Sequence, residues 1–253
     1  MEDLLRKLDF DHEDAAALLR SRAQPADLIE RRRASLVAAM GEREPRPTWE
    51  FDDAHPWATT WPFLAAVGDV RAYHGERGIP ADVSWASLRD LGRHARIDRE
   101  LHGTPGLRKA WWLMLHFRGL LYELGRLQFE LLSDDELGVH IPATGPLDPA
   151  ACDESIARAV ALFSPTALVC ESWLLDPALE EYLPADSNIV RFRRRFELLT
   201  DGEPADASVV EFVYGRLDAN PDELPQRTTL ERAIVRHLRA GRHWVAPIGR
   251  LAR

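Results

Sequence analysis

The spacing of apolar residues changes near the middle of the chain. In the first part they recur at helical intervals, as at Leu4 and Leu8, whereas from Leu120 onward several segments alternate apolar and polar residues. A period near 3.6 is typical of amphipathic helices, and a period of two is typical of half-buried strands. The sequence therefore predicts an α+β fold, with an all-helical N-terminal domain over residues 1–104 and a mixed-sheet α/β domain over residues 105–253.

Length, charge and cysteine content narrow the classes of function. With 253 residues the chain is long enough for one large domain or two modest ones. Its formal net charge of −9 at pH 7 argues against a nucleic-acid partner. Cys152 and Cys170 are too few for a disulfide scaffold or a thiolate zinc site. The histidines before residue 105 show no spacing typical of metal sites, so no metal is expected.

The chain carries no sequence signal for export or for insertion into a membrane. Its first residues include acidic side chains in place of the apolar run of a secretory signal. No stretch approaches the roughly 18 apolar residues that a membrane span needs. We therefore expect a cytoplasmic protein without a membrane partner, and the oligomeric state stays open.

Tryptophan and phenylalanine residues punctuate a proline-rich connection inside the helical domain, at Trp49, Phe51, Trp57 and Trp61. They have two interpretations: they line a pocket for an apolar substrate, or they pack in the core because such rings bury large areas. We favour core packing. A further hypothesis is that the helical domain supplies a pocket for an acceptor molecule.

From Leu120 the pattern predicts the element order β-β-α-β-α-β-β, followed by a helix and a final strand. A long strand, Leu120–Leu132, and a second strand near Leu137–Ile141 flank a short polar turn, which indicates an antiparallel hairpin. Asp148 is a good helix N-cap before Pro149, and an apolar strand follows that helix, which indicates a βαβ crossover. The remaining predicted elements are a short helix after Asp176, strands over 190–198 and 208–214, a helix starting at Thr228 and a strand over 243–246.

Three segments resemble a known family. The strings Trp111–Phe129, Gly138–Pro142 and Ser172–Pro177 look like an actinobacterial group of acyltransferase-domain proteins, in which a helical part precedes a GNAT-like part. The predicted strand order is also similar to the core of GNAT acyltransferases. The resemblance implies a strand that ends in a phosphate-cradling loop and a neighbour that splays to admit acyl-CoA. It implies transfer of an acyl group from acyl-CoA, such as acetyl-CoA, to an amine of a small molecule or a protein.

The expected CoA loop departs from the family pattern. It carries Pro142, Pro146 and Pro149, which have no amide N–H to offer a pyrophosphate, and Asp148 adds negative charge at the helix start. The predicted CoA-binding residues are Val139, Ile141, Thr144, Gly145 and Leu147, with the Ala143 amide as a further donor. The alternative is a non-catalytic binding or interaction protein that retains a GNAT-like fold with a degenerate CoA loop.

Three residues are candidates for proton transfer, which N-acyl transfer requires at the amine and at the leaving thiolate. Glu171 ends an apolar strand, where burial would raise its pKa and suit it as a base, unless an arginine pairs with it. His140 is a candidate base or substrate contact, or else a hydrogen-bonded structural histidine. Tyr182 matches the general acid that the resemblance implies, or it packs on the sheet. A thiol in an apolar strand is inert, so Cys170 is not expected to be a nucleophile.

Alternating arginines mark the predicted strand 190–198. Arg191, Arg193 and Arg195 would share one strand face and bind a phosphate or carboxylate substrate, or pair with Glu130 and Glu197 across the sheet. We favour the pairing.

Overall fold

The computed structural model describes residues 1–21, 25–44, 49, 52, 54–218 and 220–252. The chain forms two compact units, Met1–Leu124 and Gly125–Arg253. The α+β class predicted from the sequence is confirmed, because helices fill the first unit and a mixed sheet runs through the second. Phe51 lies outside the described residues.

The first unit is built from helices around one apolar core. Its elements are α1 (Glu2–Lys7), α2 (His12–Arg20), α3 (Ala26–Ala38), α4 (Thr60–Glu76), α5 (Ala81–Leu88), α6 (Asp90–His102), α7 (Ala110–Phe117) and β1 (Leu121–Glu123). Trp57 is buried in this core and Trp49 and Trp61 pack against it, which agrees with the packing interpretation of these rings.

The boundary between the units lies beyond the one that the sequence analysis places between residues 104 and 105. Helix α7 packs against α4, α5 and α6, and Leu113, Met114 and Phe117 belong to the same core as the earlier helices. The segment after Gly103 therefore closes the helical unit.

The second unit alternates strands and helices. Its elements are β2 (Gln128–Leu131), β3 (Glu136–His140), α8 (Pro149–Phe163), β4 (Ala167–Glu171), a 3₁₀ turn (Trp173–Leu175), α9 (Leu179–Tyr182), α10 (Asn188–Arg193), β5 (Phe196–Leu198), β6 (Glu203–Pro204), α11 (Asp206–Tyr214), α12 (Thr229–Arg239), β7 (Val245–Ala246) and β8 (Ile248–Leu251). Within this unit the main sheet has the order β2-β3-β4-β8-β5, and β6 pairs with β7 separately.

Two pairings set the direction of the sheet. Strands β2 and β3 run antiparallel with Phe129 beside Val139, which confirms the predicted hairpin. Strands β3 and β4 run parallel with Leu137 beside Leu168, and α8 connects them, which confirms the predicted βαβ crossover. As predicted, the Asp148 carboxylate caps α8 by accepting a hydrogen bond from the Ala151 amide at 2.9 Å.

The predicted long strand Leu120–Leu132 is wrong, because the segment forms β1 and β2 with a break between them. Gly125 lies in the break with φ +88°, a conformation that interrupts a strand and that residues with a Cβ rarely adopt. A Cβ at this position would also lie 3.0 Å from the Ser155 hydroxyl.

Two further predicted strands are helical. In segment 190–198, the Ser187 hydroxyl caps α10 at the Val190 amide, and only Phe196–Leu198 forms a strand. Segment 208–214 is α11, which buries Val209 and Val210 and ends at Gly215 with φ +60°. Packing and capping outweigh the local preference of alternating or β-branched residues for strands.

Strand β8 is missing from the predicted order. It lies between β4 and β5 and pairs antiparallel with both, with Gly249 beside Cys170 and beside Leu198. Its four residues are too few for alternation to stand out in the sequence, although they complete the sheet.

Candidate functional site

The two parallel strands part at their carboxyl ends. Pairing between β3 and β4 ends at Gly138 and Val169, although β3 continues to His140 and β4 to Glu171. Beyond that point β3 stays paired with β2 and β4 with β8. The separation leaves a gap in the sheet, as the family resemblance implies for the strand that admits acyl-CoA.

A proline-rich loop of residues 141–148 follows β3 and leads into α8. Within it the Thr144 amide donates a hydrogen bond to the Pro142 carbonyl at 2.8 Å, so this amide is engaged inside the loop. In the described part of the chain, no acceptor is found for the amides of Ala143, Gly145 and Leu147. Three of the four amides expected to serve as donors therefore lack a protein acceptor.

One arginine binds the main chain of this loop at three places. The Arg126 guanidinium donates to the carbonyl oxygens of Pro142 at 3.0 Å, Gly145 at 2.7 Å and Pro146 at 2.8 Å. The arginine is half-buried at the start of β2. It fixes a loop that consists largely of exposed residues.

A cavity of about 580 Å³ opens beside this loop. Its lining is mostly apolar and comes from the loop, the 3₁₀ turn, the start of α10, α11 and the start of α12: Arg126, Ile141, Ala143, Gly145, Pro146, Leu147, Trp173, Leu174, Leu183, Pro184, Ser187, Asn188, Ile189, Phe212, Thr229 and Leu230. The volume lies in the range of small-molecule sites. We call it the loop pocket.

The predicted CoA-binding residues divide into two groups. Ile141, Gly145 and Leu147 line the loop pocket. Val139 is buried in the sheet and is 2% exposed, and Thr144 is exposed outside the pocket lining.

His140 is held by a buried carboxylate. Its Nε2 lies 2.9 Å from Oε2 of Glu130, whose side chain is 8% exposed, while the His140 side chain is 29% exposed. A carboxylate accepts hydrogen bonds, so Nε2–H donates and the basic lone pair of the neutral ring is on Nδ1. This arrangement of a histidine oriented by a carboxylate suits a general base.

Glu171 lies on the same face of the sheet as His140. Gly138 and Val169 are register partners, and side chains two residues further along each strand return to the same face. The side chain of Glu171 is exposed, so the burial that would suit it as a base is not observed. No arginine pairs with it among the described residues, so the expected ion pair is also absent there.

Tyr182 lies at the end of α9. Its hydroxyl contacts Nδ1 of His237 at 3.2 Å and accepts from the Arg242 guanidinium at 3.3 Å. It lines a second groove of about 680 Å³ with polar and basic walls along α12, including Arg232 and Arg236. Tyr182 is not among the residues that line the loop pocket, and neither are His140 and Glu171.

The arginines of segment 190–198 do not form a strand face, because Arg191 and Arg193 lie on helix α10. Arg193 and Arg194 both donate to Glu180, at 2.5 and 2.6 Å, and these bonds lower the pKa of that carboxyl. Arg195 pairs with Asp153 of α8 at 2.7 Å. These arginines form ion pairs, as we favoured, but Glu130 and Glu197 are not the partners in these ion pairs.

Neither cysteine is placed for nucleophilic chemistry. Burial raises the pKa of the Cys152 thiol and raises that of Cys170 to about 12. Both thiols are protonated near neutral pH and therefore weak nucleophiles.

Most of the pocket wall was not predicted from the sequence. Arg126 lay in the predicted strand Leu120–Leu132, and Phe212 lay in the predicted strand 208–214. Ser187 and Ile189 fall at the start of a helix that was not predicted. The Ser187-to-Val190 cap is the signal that indicates this helix start.

Two features are absent from the described residues. No group of three or more His, Cys, Asp or Glu side chains there is placed to hold a metal ion. In the same residues no helix combines the length and apolar character needed to cross a membrane.

A parted pair of parallel strands, a loop with available amides before a helix, and an apolar pocket beside it define a GNAT-like acyltransferase architecture. The chain belongs to this acyltransferase family. Residues 1–119 match the family model of the N-acyltransferase N-terminal domain, and residues 121–251 match that of the GNAT-like C-terminal domain.

Solved structures of acyltransferases are similar to the whole chain. One is an acyltransferase in complex with decanoyl-CoA and teicoplanin, with 38% identity, a TM-score of 0.90, and coverage of 99% of this chain and 86% of the other. Another is a mutant in complex with octanoyl-CoA, with the same identity and coverages and a TM-score of 0.91. A third is a complex with CoA and 10C-teicoplanin, again with 38% identity, coverages of 99% and 86%, and a TM-score of 0.90. Among curated proteins, no sequence matches the chain.

Proposed function

We propose that this protein transfers a medium-length acyl group from a CoA thioester to an amine of a glycopeptide-like small molecule. The loop pocket carries the proposal, because its mostly apolar volume of about 580 Å³ is far larger than an acetyl group needs. Each methylene that enters such a pocket contributes up to about 0.8 kcal/mol, or roughly fourfold in affinity. The bound octanoyl and decanoyl thioesters of the similar structures support this chain length.

The loop amides match the anionic end of the donor. Amides without a protein acceptor at Ala143, Gly145 and Leu147 suit phosphate oxygens, and they adjoin the start of α8. Asp148 opposes this attraction, since its charge lies at the same helix start. The set of loop amides therefore fits a CoA pyrophosphate.

His140 is the best-supported base for the reaction. Its Nδ1 accepts the proton of the attacking amine, while Glu130 holds the ring and stabilises the imidazolium that forms. The carbon–nitrogen bond forms as the carbon–sulfur bond of the thioester breaks, and the proton is returned to the thiolate. Glu171 on the same face is a second candidate base.

The acid role of Tyr182 stays a prediction of the family resemblance, and a cytoplasmic location stays a prediction from the sequence. Its hydroxyl is bound to His237 and Arg242 in the second groove, which gives less support than the geometry of His140. A large fall in kcat for Tyr182→Phe would support the acid role.

The test is a transfer assay with acetyl-, octanoyl- and decanoyl-CoA as donors and a teicoplanin-type amine as acceptor. We expect kcat/KM to rise with chain length and the product to carry a new amide. Wild-type protein that binds acyl-CoA without forming product would favour the non-catalytic alternative, and protein that binds none would contradict the proposal.

The base is tested with His140→Gln and Glu130→Gln. We expect kcat to fall by about 100-fold or more for His140→Gln and less for Glu130→Gln. His243→Gln is the matched control, because His243 also pairs with a carboxylate, Asp206, at 2.6 Å but is 75% exposed and follows α12 instead of ending β3. A His140→Gln enzyme with wild-type kcat would exclude His140 as the base.

A further inference from the structure

The loop after β3 poses a physical problem, because three of its residues are prolines without an amide N–H. A pyrophosphate cradle needs several amides that point to one place before the ligand arrives. A loop with exposed residues and few internal hydrogen bonds would lose much conformational entropy on binding. The loop therefore needs hydrogen bonds from residues outside it to keep a binding conformation.

Arg126 supplies the hydrogen bonds that the loop itself lacks. Its three bonds to the carbonyls of Pro142, Gly145 and Pro146 span the loop from one end to nearly the other. Gly145 between them has φ +111°, a conformation that glycine tolerates. Charge-assisted bonds of this kind are about twice as strong as neutral ones.

The direction of these bonds sets the direction of the amides. In a planar trans peptide the C=O and the following N–H point opposite ways. Because the carbonyls of Pro142 and Pro146 point at Arg126, the amides of Ala143 and Leu147 point away from it. Ala143 and Leu147 are lining residues of the loop pocket.

Arg126 is itself tied to the helix that follows the loop. Its backbone amide donates to the Ser155 hydroxyl at 2.8 Å, and that hydroxyl donates to the Ala151 carbonyl of α8 at 2.8 Å. The neighbouring Gly125 allows this approach, since a Cβ there would lie 3.0 Å from the same hydroxyl. The guanidinium is thus fixed relative to the start of α8 as well as to the loop.

We propose that Arg126 is a positioning residue for the donor: it holds loop 142–146 so that the amides of Ala143 and Leu147 face the CoA pyrophosphate. This inference rests on the proposed function. One arginine would thus order this loop, whereas a glycine-rich sequence shapes other phosphate-binding loops.

The experiment compares two donors with Arg126→Ala. Octanoyl-CoA carries the pyrophosphate, and octanoyl-pantetheine lacks it. We expect KM for octanoyl-CoA to rise about tenfold, as for loss of one to two hydrogen bonds. KM for octanoyl-pantetheine and for the acceptor should stay near the wild-type values. Equal rises for both donors, or no rise for either, would overturn the inference.

Arg126→Lys separates geometry from charge. An ammonium keeps the positive charge but cannot match the planar fork that reaches three carbonyls, so KM for octanoyl-CoA should stay within about threefold of the alanine variant. Full recovery would assign the effect to charge and overturn the positioning role. If the alanine variant does not fold, the KM values of the lysine variant for the same two donors test the inference instead.

Arg195→Ala is the matched control. Arg195 also donates to the start of α8, at the Pro149 carbonyl and Asp153, but makes no bond to the loop carbonyls that Arg126 binds. It should leave the ratio of the two donor KM values unchanged. Wild-type protein that uses neither donor would instead contradict the proposed function, which keeps the two failures distinct.

Discussion

Each unit contains a charged group that gathers several hydrogen bonds, but the two groups have different partners. In the first unit, Asp90 is 2% exposed and accepts from the side chains of Arg93, Trp112 and His116. In the second unit, Arg126 donates to main-chain carbonyls of an exposed loop. The Asp90 cluster joins elements of a closed core, whereas Arg126 orders a segment beside a pocket. Loss of the Asp90 cluster should therefore lower the free energy of unfolding, whereas loss of Arg126 should weaken ligand binding.

The electrostatics of the Asp90 cluster agree with a structural role. Burial alone would raise the pKa of Asp90, but the charges and hydrogen bonds of His116 and His94 hold it well below its usual value. The carboxylate is thus ionised and compensated inside the core. A buried charge of this kind is tolerated only while its partners remain.

The largest expected effect comes from Asp90→Ala. Arg93 keeps its second carboxylate partner, Glu123 at 2.8 Å, but the buried donors of Arg93, Trp112 and His116 all lose this acceptor at once, which costs about 3–5 kcal/mol of unfolding free energy. Urea unfolding measures the change. Asp27→Ala is the control, because Asp27 pairs with Arg31 at 2.7 Å on an exposed helix face and should cost less than about 0.5 kcal/mol. Equal losses of unfolding free energy in Asp90→Ala and Asp27→Ala would contradict the expected difference between the buried Asp90 cluster and an exposed ion pair.

The next effect is a pH dependence of stability in the same core. Burial, with the charges of His116 and Arg71, lowers the pKa of His74 from 6.5 to about 4. Between these values the unfolded chain binds a proton that the folded protein does not, so stability is complete above pH 6.5 and falls toward pH 4. The loss reaches on the order of 3 kcal/mol.

Unfolding free energies measured between pH 7 and about 4.5 test this expectation. His74→Asn should flatten the slope, because the side chain no longer titrates, whatever its stability at pH 7. The exposed His12→Asn variant should keep the wild-type slope. A wild-type slope in His74→Asn would show that the titrating group lies elsewhere.

A smaller effect is expected in the wall of the loop pocket. Phe212 is 43% exposed and meets Trp173 edge to face at 6.0 Å. Phe212→Ala should weaken octanoyl-CoA binding by about 1 kcal/mol, roughly fivefold, because apolar contact with the chain is lost. Acetyl-CoA binding should change little. Calorimetry measures both, and Leu217→Ala, at a leucine 64% exposed and outside the pocket, should change neither.

The sequence predicted the parts of the fold that depend on local pattern. The β2–β3 hairpin and the Asp148 cap are determined by neighbouring residues, and both were predicted. Helix α11 was predicted as a strand because its valines favour strands, whereas in the structure Val210 packs against Leu224 and Val235 from distant segments.

The candidate site shows the same difference between features set by neighbouring residues and features set by distant ones. His140 was identified from its place near a strand end, but its partner Glu130 emerged only from strand register. Arg126 meets carbonyls that lie 16 to 20 residues further along the chain, a relation that no local pattern encodes.

The smallest expected effect lies at the start of α8, where Asp148 serves folding and opposes binding. Asp148→Asn keeps a good N-cap, so stability should hardly change, while the negative charge near the pyrophosphate is removed. CoA binding should tighten by about 0.3–1 kcal/mol, roughly two- to fivefold, and the gain should shrink as salt is added.

Asp148→Ala should lose about 1 kcal/mol of stability, because the cap is lost as well. Glu154→Gln removes the same charge from the next turn of α8 and should change the affinity less, since the dipole effect is confined to the first turn. Tighter binding in both Asp148 variants but not in Glu154→Gln would place the pyrophosphate at this helix start, and unchanged binding in all three would place it elsewhere.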